Sequence, residues 1–232
     1  MEIKNTGIMF SIFVILLFAA SACAQGVSPE EAAKKDRQIS DLQSQVAALQ
    51  KNPTNAEVGL KMGMRKLWED HVTWTRNYVI SAVSDLPDTS LAAQRLLKNQ
   101  EDIGNAIKPL YGEEAGNKLT ALLKDHILIA ADIIKAAKAG SANGVAEGQK
   151  KWSQNADEIA ALLSGANPNW PKQALKDMLQ MHLDLTTEEV VARLTKDYAR
   201  DIAAYDKVHE HALGMADALS GGIIKQFPQK FK

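Results

Sequence analysis

From residue 56 onward, apolar residues recur at alternating intervals of three and four. No stretch sustains the period-two alternation of β-branched residues that a strand requires. That pattern excludes a sheet-based core and leaves helices packed on helices. The prolines agree: Pro53, Pro87, Pro109, Pro168, Pro171 and Pro228 all fall between periodic segments, where a missing N–H costs little. The spacing predicts helices over 57–84, 89–108, 113–138, 142–164, 171–184 and 187–220. Together they make residues 56–232 an all-α, up-and-down helical bundle of about six helices. "AKAGS" at 137–141 supplies Gly140 as a C-cap and Ser141 as the next N-cap, and "TTEE" at 186–189 reads as a capping box opening the last helix.

Two shorter segments precede the bundle. Residues 1–23 resemble a signal peptide: the apolar run "IMFSIFVILLFAASA" (8–22) follows Lys4 and ends at Cys23. "ASAC" also resembles a lipobox, which would make Cys23 the lipidation site and tie the protein to a membrane. Cleavage after Ala24 and retention as a signal-anchor are the alternatives. Each places the domain outside the cytoplasm, in the periplasm or at the cell surface. Residues 24–55 read as a stalk or linker helix. "SPEE" at 28–31 sets Ser28 as N-cap and Pro29 at the first helical position. Ile39, Leu42, Val46 and Leu49 then follow a coiled-coil seam for about two heptads. A homo-oligomer through residues 28–51, a helix packed on the domain and a spacer all fit this pattern.

Composition removes several functions. A formal net charge of -1 with no concentrated basic face argues against nucleic-acid binding. One cysteine excludes internal disulfides and multi-cysteine zinc sites. No glycine-rich phosphate loop or nucleophile elbow occurs. The pairs Glu113-Glu114 and Glu188-Glu189 fall in predicted first turns, where the helix dipole favours negative charge.

What remains is a set of polar residues on apolar helical faces. At 100° per residue, His71 is centred in the stripe Leu60, Met64, Leu67, Trp74, Tyr78 and Ala82. His126 is centred on 113–138, and His182 aligns with Leu175 and Met178. Asp201 shares the inward line of the last predicted helix with Leu194, Tyr198, Tyr205 and Ala212. Asn99 and Trp152 also face inward. His71, His126, Asn99, Trp152 and Asp201 sit near the midpoints of their predicted helices, and midpoints share one level in such a bundle. His182, near a predicted helix end, joins that level only if the corner at 185–186 folds inward. Two imidazoles and a carboxylate suit a single first-row transition metal, with His71, His126, Asp201 and His182 as candidate ligands. Trp74, Tyr78, Asn99, Trp152 and Tyr205 are the candidate lining of a small-ligand pocket. A structural network of satisfied polar groups is the third reading.

Paired strings hint at duplication: "HVTWT" (71–75) with "HLDLT" (182–186), "HILIAAD" (126–132) with "HALGMAD" (211–217), and "RLLKNQEDI" (95–103) with "RLTKDYARDI" (193–202). Other strings carry a resemblance: "LWEDHVTWTR", "DIGNAIKPLYGEEAG", "WSQNADEIAALLSGANPNWP", "HLDLTTEEVVARL" and "DIAAYD". On these, residues 67–231 resemble a family of small helical-bundle proteins of bacterial and archaeal genomes, some of which carry the label glycosyltransferase. The resemblance implies an all-α domain and brings no catalytic residues with it. Nucleotide-sugar folds are built on parallel α/β sheets, and this sequence offers no strands. The leading expectation is a surface-anchored or secreted binder of a metal ion or small ligand. The alternatives are a metalloenzyme using His71, His126 and Asp201, and an oligomerising envelope protein.

Overall fold

The computed structural model describes residues 28–49 and 54–232. Cys23 and the apolar run before it, with the lipidation and cleavage expectations, lie outside them. The chain divides into two compact units, Met1–Asn52 and Pro53–Lys232. In the first, α1 (Pro29–Leu49) opens as expected, with the Ser28 hydroxyl accepting from the Glu31 N–H at 3.3 Å. Ile39 and Leu42 on α1 are exposed. Among the described residues no helix is long and apolar enough to cross a membrane.

The second unit is all helical: α2 (Asn55–Val83), α3 (Thr89–Lys138), α4 (Ala142–Ala166), α5 (Lys172–Leu194), α6 (Tyr198–Gln226) and a 3-10 turn at Pro228–Lys230. Each helix packs on its chain neighbour, and α2 also packs on α6, so first and last helices close the bundle. Thr54 caps α2 through a reciprocal capping box with Glu57. Ser141 caps α4 after Gly140 at φ 69, as the sequence suggests.

Helix α3 is two arms folded back on each other at Gly112 (φ 85, ψ 167), just after Pro109. Left-handed backbone there suits only a residue without Cβ. The arms touch at Gly104 and Gly116: a Cβ at Gly104 would collide with the Gly116 carbonyl and the Thr120 hydroxyl. The expected helices 89–108 and 113–138 are these two arms.

The last two helices differ from expectation. Residues 185–186 form no corner; α5 runs unbroken through them to Leu194. "TTEE" is therefore helix interior, and the Thr186 hydroxyl donates back to the His182 carbonyl at 2.8 Å. The turn lies at 195–197, where Lys196 adopts φ 61 and the Asp197 carboxylate accepts from the Arg200 N–H to cap α6. No glycine or proline marks this turn, and the capping Asp197 is its one local sign. The shift lengthens α5 and moves the start of α6, exchanging the depths of His182 and Asp201. His182 becomes a mid-helix residue, and Asp201 falls in the first turn.

Candidate ligand-binding site

Three histidines from three helices meet at mid-depth. His71 on α2, His126 on the second arm of α3 and His182 on α5 are each under 5% exposed. The His182 ring centroid lies 5.5 Å from His71, 6.0 Å from His126 and 6.4 Å from the partly buried His211 of α6. Trp68 meets His71 edge-on at 5.7 Å, and Trp152 packs on His126 at 5.1 Å.

Neighbouring amides contact two of the rings. Asn155 donates through Nδ2 to the Leu122 carbonyl (3.0 Å), which turns its Oδ1 to His126 Nδ1 at 2.8 Å. His126 therefore carries its proton on Nδ1 and keeps Nε2 as an acceptor. Gln100 lies against His71. Its Nε2 donates to the Leu96 carbonyl at 2.9 Å and to Asn99 Oδ1 at 3.1 Å, and lies 3.3 Å from His71 Nδ1. The Leu96 and Asn99 oxygens take both amide hydrogens, so Gln100 packs against the His71 ring without fixing its tautomer. The Asn99 amide donates to the Leu67 carbonyl at 2.9 Å, tying α3 to α2. Burial pushes His71 down to about 3 and His126 to about 4, and drives His182 well below its ordinary value, with nearby histidines adding to the effect on His71 and His182. All three rings are neutral at pH 7.

These rings form one wall of a cavity of about 90 Å³. The rest of the lining is mainly aliphatic, from Val79, Leu96, Ile127, Ile133, Ile134 and Val190, and among the described residues no Lys, Arg, Asp or Glu contributes to it. Three polar atoms on lining residues are buried without a hydrogen-bond partner among the described residues: His182 Nδ1, Trp152 Nε1 and Thr75 Oγ1. Orphaned buried polar atoms are uncommon, and these three are hydrogen-bonding capacity left over on residues that line the cavity.

The structure brings some of the expected residues together and separates others. His71, His126 and His182 are gathered, with Tyr78 and Trp152 lining the cavity beside them. Asn99 acts one step back, as a support for Gln100. Asp201 is corrected out of the histidine layer: its carboxylate takes Arg76 at 2.9 and 3.1 Å and Arg193 at 3.3 Å. Tyr205 and Trp74 are corrected likewise. Tyr205 lies beneath the Arg76 guanidinium at 4.6 Å and Trp74 beneath Arg95 at 5.2 Å, and neither lines the cavity. Trp68, one position round from the expected stripe, is the buried tryptophan of α2. Among the described residues no three His, Cys, Asp or Glu side chains are arranged to hold a metal ion as they stand.

Beside the cavity a second polar cluster ties α2, α5 and α6. Arg76 bridges Glu189 (2.8 Å) and Asp201, both carboxylates being 1% exposed. Burial raises Glu189 to about 7, against the pull of Arg76. Glu189 was expected as a first-turn residue; on the longer α5 it faces the core instead. Gln100, Thr75 and this cluster went unnoticed in the sequence. Thr75 stands one turn after His71, and that i, i+4 spacing is the signal that could have flagged it.

Two of the three paired strings keep equivalent places: His71 and His182 are mid-helix on α2 and α5, and His126 and His211 are interior to α3 and α6. The middle block does not, since 95–103 is helix while 193–202 spans the turn into α6. The chain matches no protein-family model, no curated protein and no solved structure, which leaves geometry and chemistry to indicate its role.

Proposed function

We propose that this protein binds a small organic molecule in the mid-bundle cavity, acting as a binder rather than an enzyme. The observation that carries the reading is a charge-free, largely aliphatic cavity closed at one wall by three neutral histidines, with three orphaned polar atoms on its lining. Such a site combines apolar burial for affinity with a few polar groups for orientation. Reactive machinery is sparse: the buried carboxylates Glu189 and Asp201 are engaged by arginines. The leader-like residues 1–23 place this binding outside the cytoplasm in our reading, with Cys23 as anchor. The exposed Ile39 and Leu42 of α1 offer residues 28–51 for self-association. A glycosyl-transfer role finds no support in an all-helical fold.

Thermal unfolding of the full-length chain in detergent, against a panel of small neutral organic compounds, tests the reading. A compound that binds the native state raises Tm. The gain should vanish in Ala130→Leu, which adds a side chain to the cavity lining. A panel without a hit, or hits indifferent to Ala130→Leu, would count against it.

A single first-row metal held by His71, His126 and His182 is the second reading. It is favoured by the Asn155 contact, since metal-bound histidines commonly donate their other ring nitrogen to a fixed acceptor. Loading would require ring rotations that converge the donor nitrogens. Bound metal measured by mass spectrometry after loading with Co²⁺, Ni²⁺ or Zn²⁺, and unchanged by His71→Ala plus His126→Ala, would dispose of it.

A further inference from the structure

The cavity wall also specifies a class of guest, an inference that rests on the proposed binding role. Its hydrogen-bonding groups are of both kinds. Trp152 Nε1 can only donate, and it is buried without a partner. His126 Nε2 can only accept, because the Asn155 carbonyl holds the ring proton on Nδ1. Thr75 Oγ1 and His182 Nδ1 are orphaned as well.

A group that both donates and accepts satisfies such a wall; a purely accepting or purely donating group leaves part of it unmet. A hydroxyl has one proton and two lone pairs in the smallest volume. A charged head is disfavoured on independent grounds. Among the described residues no side chain in the lining carries an opposite charge, and a buried unpaired ion is far costlier than a buried hydroxyl. An anion could accept from Trp152 and Thr75, but its charge would be buried without a counter-ion.

Size and shape restrict the body. An engineered apolar cavity of roughly 150 Å³ takes benzene. The 90 Å³ here suits a shorter aliphatic chain, and Val79, Ile127, Ile134 and Val190 supply its surroundings. We infer that the site selects neutral, short-chain alcohols or compounds ending in such a group, with the hydroxyl at the Thr75–Trp152–histidine wall and the hydrocarbon along the aliphatic lining.

The test uses methyl-labelled full-length protein in detergent, with NMR shifts of the Ile127, Ile134 and Val190 methyls as the readout. Xenon probes the apolar space alone, 1-butanol adds the hydroxyl, and butyrate replaces it with a charge. Xenon and 1-butanol should both shift these methyls, with 1-butanol binding at least tenfold tighter than butyrate at pH 7. Thr75→Val and Trp152→Phe should each weaken 1-butanol severalfold and leave xenon unchanged. Xenon binding together with equal affinity for 1-butanol and butyrate would overturn the inference while leaving the cavity as a binding site. So would 1-butanol affinity indifferent to both substitutions. No methyl shift with either xenon or 1-butanol would overturn the binding role itself.

Discussion

The His71 and His182 rings lie 5.5 Å apart on α2 and α5, helices separated in the chain by both arms of α3 and by α4. With His126 beside them, three titratable rings are buried in one layer. That arrangement dominates the pH response of the fold.

Stability should fall steeply in mild acid. Each of these histidines has a folded pKa below its ordinary 6.5, so its contribution is complete above 6.5 and is lost as pH falls toward 4 and 3. Glu189 has the opposite sign. Its folded pKa near 7 exceeds the ordinary 4.5, so its contribution is complete below 4.5 and disappears as pH rises through 7. One proton at about 1.4 kcal/mol per pH unit, three losing and one gaining, leaves a net fall of about 2–3 kcal/mol per unit between pH 6 and 4.5. Urea unfolding at pH 7.5, 6 and 5 measures this; a flat profile would contradict the neutral buried cluster.

Removing Arg76 should be among the costliest surface-proximal changes. Arg76→Ala strands Glu189 and leaves Asp201 with Arg193 alone, at a cost of about 3–5 kcal/mol. Glu189→Gln should cost under about 1 kcal/mol, because burial already favours the uncharged form and the amide oxygen can still accept from Arg76. Equal losses for the two variants would mean that the cluster is not held as described.

Asn155 should set the His126 tautomer. Long-range ¹⁵N–¹H spectra of the imidazoles at pH 7 should show His126 protonated at Nδ1. Asn155→Leu should release that preference in His126 and cost about 1–3 kcal/mol, the penalty for an unsatisfied buried donor. A His126 spectrum unmoved by Asn155→Leu would show that Asn155 does not set the tautomer.

Two helical glycines should respond in opposite directions to alanine. Gly104→Ala drives a methyl into the Gly116 carbonyl and the Thr120 hydroxyl and should cost about 1–3 kcal/mol as the α3 arms separate. Gly63→Ala on α2 meets open space and should stabilise by about 0.5–1 kcal/mol. Thermal or urea midpoints of both variants decide it.

The fold was legible in the sequence because helical periodicity is local: spacing, prolines and the Gly140–Ser141 cap each act within a few residues. Depth within a bundle is also readable, provided that helix ends are known. His71 and His126 illustrate this, since both ends of their helices carry local marks. His182 and Asp201 show the dependence. The turn between α5 and α6 is made by Lys196 in left-handed backbone, at a cost of about 1–2 kcal/mol that tertiary packing must offset, and it leaves no glycine behind as a sign. With that boundary misplaced by ten residues or so, the carboxylate took the depth of the histidine.

What the sequence alone determined is therefore the class of fold, the number of helical arms and the presence of neutralisable polar groups on apolar faces. Only the tertiary structure decided which of those groups meet. Asp201 and His182 are equally inward by helical phase, yet one is claimed by Arg76 and Arg193 and the other stands orphaned on a cavity. Phase and depth locate a side chain on its own helix. The choice between ion pair and open site depends on the neighbouring helices, whose rotations are set by packing the whole core at once.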